Sequence, residues 1–200
     1  MTTLAPGWQA RISAVVIGGS AGCVDALATL LPRLPHDLGA AVLAVVHLPR
    51  ERPSLLVDIF RERSALPLCE AQDKEPIAPG TVYFAPPDYH LLVDEGPRLA
   101  LSIDEPVHFS RPSIDVLFES AADIYGPQLL GILLTGGNAD GAQGLQAVHR
   151  NGGVTVVQDP DDAMVRYMPA AALQLEPADF VLPLEGIARL LATLADRGAT

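Results

Sequence analysis

The chain has 200 residues, 49% hydrophobic but only 5% aromatic, and carries a formal net charge of -11. That size suits a single domain with a core of Ala, Val, Leu and Ile, and the acidic balance excludes a nucleic-acid partner, which needs a basic face to neutralise phosphate. No apolar run reaches the roughly eighteen residues a membrane span needs, and Met1 to Arg11 lacks the basic-then-apolar layout of a signal peptide, so a cytoplasmic protein not inserted in a membrane is expected. Taken in order, Ser13–Gly18 reads as a buried strand. Ala21–Leu31 follows as a helix with Val24, Leu27, Leu30 and Leu31 on one face, ended by Pro32. Ala41–Val46 is a second continuous apolar strand, and Leu55, Leu56, Ile59 and Phe60 mark a helix after Pro53. After a short strand at Leu68–Glu70 the texture changes. The runs Thr81–Ala85, Leu91–Val93 and Leu99–Ile103 are broken by Pro86-Pro87-Asp88 and Asp94-Glu95-Gly96-Pro97, turn chemistry that predicts an inserted antiparallel hairpin. The alternation then resumes with a helical stripe at Ile114, Leu117, Phe118 and Ala121 and a strand at Leu129–Leu134. A helix at Gly141–Arg150 stops at Asn151-Gly152-Gly153, before a strand at Val154–Val157. A helix at Pro169–Leu175, a strand at Phe180–Leu182 and a last amphipathic helix with Ile187, Leu190, Leu191 and Leu194 complete the pattern. The expected fold is α/β: a doubly wound, mostly parallel sheet with helices on both faces and a hairpin insertion.

In such a sheet, ligands bind beyond the carboxyl ends of the strands. Three reactive side chains fall there. Ser20 follows the first strand in Ile17-Gly18-Gly19-Ser20-Ala21-Gly22, His47 follows the second in Val46-His47-Leu48-Pro49, and Asp140 lies in the loop Leu134-Thr135-Gly136-Gly137-Asn138-Ala139-Asp140-Gly141. Serine, histidine and aspartate are the set for acyl transfer: nucleophile, proton shuttle and the carboxylate that orients the imidazole. Each has a plainer reading alone. The glycine turn could cradle a phosphate, His47 could cap a strand, and Asp140 could be a helix N-cap. The spacing is not Gly-x-Gly-x-x-Gly, however, and no acidic residue ends the second strand to take a ribose. Together on one edge, the three favour catalysis. The chain order Ser, His, Asp also departs from the Ser, acid, His order of α/β-hydrolases. His36, His90, His108 and His149 are the alternative bases. Cys23 and Cys69 lack the spacing of metal ligands or of a disulfide framework and read as structural thiols.

Five ordered motifs resemble the catalytic domain of the CheB chemoreceptor protein-glutamate methylesterases. They are the elbow at residues 17–22, the histidine segment at 46–49, Pro79-Gly80-Thr81-Val82-Tyr83-Phe84-Ala85-Pro86 continuing to His90, the stretch Arg111 to Phe118, and the aspartate loop at 134–141. The resemblance implies a domain over residues 13–195, with an extension at 1–12 and a tail at 196–200. A catalytic domain without the N-terminal receiver domain that many family members carry is expected, either as a stand-alone enzyme or as an excised part of a longer protein. The resemblance also implies Ser20 as nucleophile, His47 as general base and acid, and Asp140 as third member, with Ala21, Gly136 and Gly137 shaping the oxyanion region and no metal or cofactor. The implied partners are the cytoplasmic helices of chemoreceptors, with Arg50, Arg52 and Arg111 as candidate contacts to acidic receptor helices. Three positions depart from the family pattern: Ala21 and Cys23 beside the serine, and Gly137 where the family carries methionine. Two other readings stand beside the methylesterase: a serine hydrolase of this fold acting on another ester, and a non-catalytic chemosensory adaptor.

Overall fold

The computed structural model describes residues 4–48 and 53–195. Seven strands form one parallel sheet: β1 (Ala14–Gly19), β2 (Ala41–Val46), β3 (Leu68–Glu70), β4 (Val82–Phe84), β7 (Leu129–Leu133), β8 (Val154–Gln158) and β9 (Phe180–Leu182), in spatial order β3-β4-β2-β1-β7-β8-β9. Strands β5 (His90–Asp94) and β6 (Arg98–Ser102) make a separate antiparallel pair. The helices are α1 (Cys23–Leu30), α2 (Leu56–Phe60), α3 (Ile114–Tyr125), α4 (Ala142–Arg150), α5 (Tyr167–Leu175) and α6 (Leu184–Ala192).

The central strands are apolar on both faces because both faces are covered. Val15 and Ile17 join a core with Leu27, Leu30 and Ile187 from α1 and α6. Ala14 and Val16 join the opposite core, with Ile114, Leu117, Phe118 and Leu145 from α3 and α4, and Leu91 and Leu99 from the hairpin. This is the period-2 alternation of a strand buried on each side. No helix among the described residues is long and apolar enough to cross a membrane.

Several boundaries differ from the sequence expectation, each for a local reason. Residues 81–85 do not belong to the hairpin. Val82–Phe84 is a fully buried strand between β2 and β3, kept to three residues by Pro-Gly before it and Pro-Pro after it. Helix α1 starts at Cys23, since Gly22 takes φ 82 and leaves Ala21 in the turn. Helix α5 starts at Tyr167, with Pro169 in the first turn, where a missing N–H costs little. The predicted 1–12 extension contributes Trp8 and Ile12 to the core. Trp8 packs on Phe180 with the rings tilted by 33° and their centroids 5.9 Å apart, so the packed unit begins before residue 13. The predicted 196–200 tail lies outside the described residues.

The order reverses at β1: later strands run outward to β2 and its neighbours on one side and to β7 and its neighbours on the other. Crevices open at such reversals, at the carboxyl ends of the strands. The register fixes what meets there. Gly19 pairs with Val46 and Gly18 with Leu133, so Ser20, His47 and Leu134 follow residues already side by side. Backbone bonds extend the match, from His47 N–H to Gly19 O (3.1 Å), from Leu134 N–H to Gly18 O (2.9 Å) and from Ser20 N–H to Thr135 O (2.9 Å).

Candidate active site

Asp140 is fully buried and carries the densest polar cluster of the site. Its Oδ2 lies 2.8 Å from His47 Nε2 and accepts Ile114 N–H at 2.7 Å. Its Oδ1 accepts Ser113 Oγ–H at 2.7 Å and Asp115 N–H at 3.0 Å. The carboxylate thus caps the first turn of α3 from outside the helix and takes the N-terminal end of its dipole. Burial alone would raise the Asp140 carboxyl. The hydrogen bonds from His47, from the Asp115 and Ile114 N–H groups and from Ser113 outweigh it and hold the carboxyl below its usual range. An ionised carboxylate only accepts, so Nε2 of His47 carries the proton and Nδ1 presents a lone pair.

Helix α3 comes this close because β1 is bare where the helix crosses it. A Cβ at Gly18 would run into Ile114 Cγ2, and one at Gly144 would lie 2.6 Å from Phe118 Cβ. Asp115 completes the junction. Its Oδ1 accepts the N–H groups of Gly141 (2.9 Å) and Gly144 (2.7 Å) at the start of α4. Burial raises the Asp115 carboxyl to about 6; the Gly144 N–H works against that, the Asp140 charge adds to it and His108 opposes it. His90 supports the same cluster. Ser113 N–H donates to His90 Nδ1 at 3.2 Å, so Nε2 bears the hydrogen and donates to Glu105 O at 3.1 Å. His90 is therefore a buried brace behind Asp140. In the sequence His90 is one of the alternative bases and Ser113 and Asp115 fall within a motif, but no local signal marks any of the three for this support role.

Ser20 sits on the turn between β1 and α1, half-buried, with Ala21 exposed beside it. Among the described residues no hydrogen bond joins Ser20 Oγ to His47. Ser110 Oγ lies 3.5 Å from His47 Nδ1. Such catalytic bonds are often long before substrate binds. Thr135 fastens the elbow. Its Oγ1 donates to Ala21 O at 2.9 Å and accepts Val165 N–H at 2.8 Å.

The other predicted positions divide. Gly136 N–H donates to Val165 O at 3.1 Å, so the oxyanion donor expected there is used inside the fold. A Cβ at Gly136 would meet Met168, whereas one at Gly137 would meet nothing within 4 Å, leaving that position open. Arg111 is clamped rather than presented. Its Nε–H and Nη2–H donate to Asp88 Oδ1 at 3.0 and 2.8 Å, and its Nη1–H groups to Ile103 O and Asp104 O at 2.7 and 3.1 Å. Arg50 and Arg52 lie outside the described residues. Cys23 replaces a glycine of the family pattern without strain because Gly19 faces it: a Cβ at Gly19 would lie 2.5 Å from Cys23 Sγ. Burial pushes the Cys23 thiol up to about 12, which leaves it inert at neutral pH. Among the described residues no three His, Cys, Asp or Glu side chains are grouped to hold a metal.

Comparisons with known proteins agree with this architecture. The family model described as CheB methylesterase matches residues 15–191. A putative protein-glutamate methylesterase/protein-glutamine glutaminase of Leptospira interrogans is 45% identical over 181 residues, covering 90% of this chain and 94% of that one. The protein-glutamate methylesterase/protein-glutamine glutaminase of Symbiobacterium thermophilum is 39% identical over 184 residues; the match covers 92% of this chain but 51% of the longer relative. The crystal structure of the Thermotoga maritima CheB methylesterase catalytic domain superimposes with a TM-score of 0.86 at 32% identity, covering 92% of this chain and 98% of that one. The matching family model and the likeness to these relatives over 90% or more of this chain, on a sheet that brings Ser20, His47 and Asp140 to one edge, show that the chain belongs to the CheB methylesterase family.

Proposed function

We infer that this protein hydrolyses γ-methyl esters of glutamate side chains on the cytoplasmic helices of chemoreceptors, in the cytoplasm, releasing methanol. The observation that carries this reading is the His47 Nε2 to Asp140 Oδ2 bond of 2.8 Å, formed on the strand edge where Ser20 stands. The family and the names of the relatives support the substrate class.

Each step uses groups already described. Ser20 Oγ attacks the ester carbonyl while His47 Nδ1 takes its proton, and Asp140 stabilises the imidazolium through Nε2. The oxyanion forms beside the start of α1, where the N–H of exposed Ala21 is the donor; one such donor is worth about 10²–10³ in rate. The C–O bond to the methoxy group breaks as His47 returns the proton, and methanol leaves. Water then attacks the acyl-enzyme, giving its proton to His47. Collapse frees the glutamate carboxyl and restores the Ser20 hydroxyl. A glutamine side chain would pass through the same acyl-enzyme with ammonia as leaving group, so deamidation is a second activity of this site.

Release of methanol from methyl-esterified receptor tests the reading, with Ser20→Ala as the paired variant. Release by wild type that is abolished in Ser20→Ala supports it. If no methanol appears while a fluorophosphonate still labels Ser20, the substrate is another ester. If Ser20 is neither labelled nor needed, the catalytic reading falls.

A further inference from the structure

Ser110 stands between two anchored neighbours. Residues Val107–Ser110 form a two-residue turn closed by Val107 N–H to Ser110 O at 3.1 Å and Ser110 N–H to Val107 O at 2.8 Å. His108 ties that turn to α3, its Nε2 lying 3.4 Å from Asp115 Oδ2. On the other side, Arg111 is clamped by Asp88 and the carbonyls of Ile103 and Asp104. The backbone of Ser110 is thus fixed, and its hydroxyl faces the working nitrogen of the site, with Oγ 3.5 Å from His47 Nδ1. That spacing is too long for a strong direct bond. It does let both atoms lie about 2.8 Å from a single water oxygen. His47, Leu48, Ser110 and Pro112 help to line a cavity of about 70 Å³ here, space for about two waters.

Hydrolysis of an acyl-enzyme makes a demand that its formation does not. The Ser20 hydroxyl is tethered to the fold, whereas the water of the second half-reaction must be caught within reach of His47 Nδ1. That is the nitrogen to which the Nε2–Asp140 bond leaves a lone pair. A fixed hydroxyl beside the base gives such a water a second polar partner and an orientation. We propose that Ser110 is a further catalytic residue, whose hydroxyl holds the hydrolytic water in this cavity beside His47. Ser110 Oγ accepts a hydrogen bond from one O–H of the water while the other proton passes to His47 Nδ1. The water oxygen adds to the acyl carbon. Collapse then breaks the bond from that carbon to Ser20 Oγ, which takes the proton back from Nδ1. The proposal rests on the esterase reading above and deepens it.

A chromogenic ester, N-acetyl-glutamate γ-p-nitrophenyl ester, separates the two half-reactions by rapid mixing, since p-nitrophenol leaves in the first. In Ser110→Ala the first turnover keeps its wild-type rate, while steady-state kcat falls about tenfold, the effect of one lost hydrogen bond. Hydroxylamine, added as a competing nucleophile, takes a larger share of the acyl group in Ser110→Ala than in wild type. Ser110→Thr keeps the hydroxyl and recovers kcat. The amplitude of the first turnover counts folded, competent sites in the same trace, so partial unfolding does not mimic the effect. Equal slowing of both half-reactions, or an unchanged kcat and an unchanged hydroxylamine share, overturns the water site and leaves the esterase reading standing. No p-nitrophenol from wild type, or release that persists in Ser20→Ala, overturns the esterase reading and the water site with it.

Discussion

Asp140 and Asp115 cap each other's helices. Asp140, just before α4, accepts the Asp115 N–H in the first turn of α3 at 3.0 Å, while Asp115 accepts the N–H of Gly141, the residue after Asp140, at 2.9 Å. The acid of the proposed triad is therefore built into a helix junction and cannot shift unless both helix starts shift. Two carboxylates in one buried cluster repel, and the reciprocal N–H donors offset that cost.

Asp140→Asn turns one acceptor oxygen into an NH₂ group that faces Ile114 N–H and His47, or else Ser113 and Asp115. It should lower kcat by about 10³–10⁴ by upsetting the imidazole tautomer. It should also lower stability by about 1–3 kcal/mol through the unmet donors. Steady-state methanol release and urea denaturation measure the two effects separately. A variant as active as wild type would remove Asp140 from the mechanism.

Asp115 sets a pH dependence of stability with a definite sign. Its folded carboxyl is raised from 3.8 to about 6, so the folded state holds this proton more tightly than the unfolded chain. The cost of burying the charge is absent below the unfolded value, grows as pH rises through that window and is complete above the folded value. Asp115→Asn has no charge to bury and keeps an acceptor oxygen for Gly141 and Gly144. Relative to wild type it should gain about 1–3 kcal/mol between pH 3.5 and pH 7. Chemical denaturation of both proteins at several pH values checks this. A difference independent of pH would refute it.

Gly18→Ala places a methyl group into Ile114, the first residue of α3. Overpacking of this kind costs about 1–3 kcal/mol. Because Ile114 N–H is also an Asp140 donor, kcat should fall with stability while the KM for a small ester changes little. Thermal unfolding and kinetics on one preparation read both quantities.

Cys23, three residues after Ser20, should resist alkylation in the native protein. Its thiol is fully buried and pushed up to about 12. Iodoacetamide at pH 8 should label it only after unfolding, followed by mass of the modified peptide, whereas a fluorophosphonate should label Ser20 in the folded enzyme. Rapid native labelling of Cys23 would contradict the packing against Gly19.

Local signals made much of the site legible. Ser20, His47 and the Asp140 loop each follow a continuous apolar strand, and strand ends can be read residue by residue. The short strand Val82–Phe84 was harder, because three buried residues between proline turns carry no period that separates a parallel strand from a hairpin arm. The support shell was hidden for another reason. Ser113 and Asp115 reach Asp140 or its loop, and His90 reaches Ser113, across long stretches of chain, and no spacing rule encodes a hydrogen bond made only after α3 meets α4. Arg111 shows the opposite case. A loop arginine near an active edge suggests a partner contact, yet its guanidinium is bound by Asp88 and two carbonyls of its own chain.

The hydroxyl of Thr135 belongs to the loop after β7, yet it holds the carbonyl of Ala21 and the N–H of Val165 at once. Next to Val165, Met164 stands 75% exposed, its side chain packed against Gly22 of the elbow. Three loops from three strands are thus riveted at one oxygen atom. The backbone beside the nucleophile is therefore tied to the surface segment at Met164 and Val165 by contacts between loops, without passing through the sheet beneath.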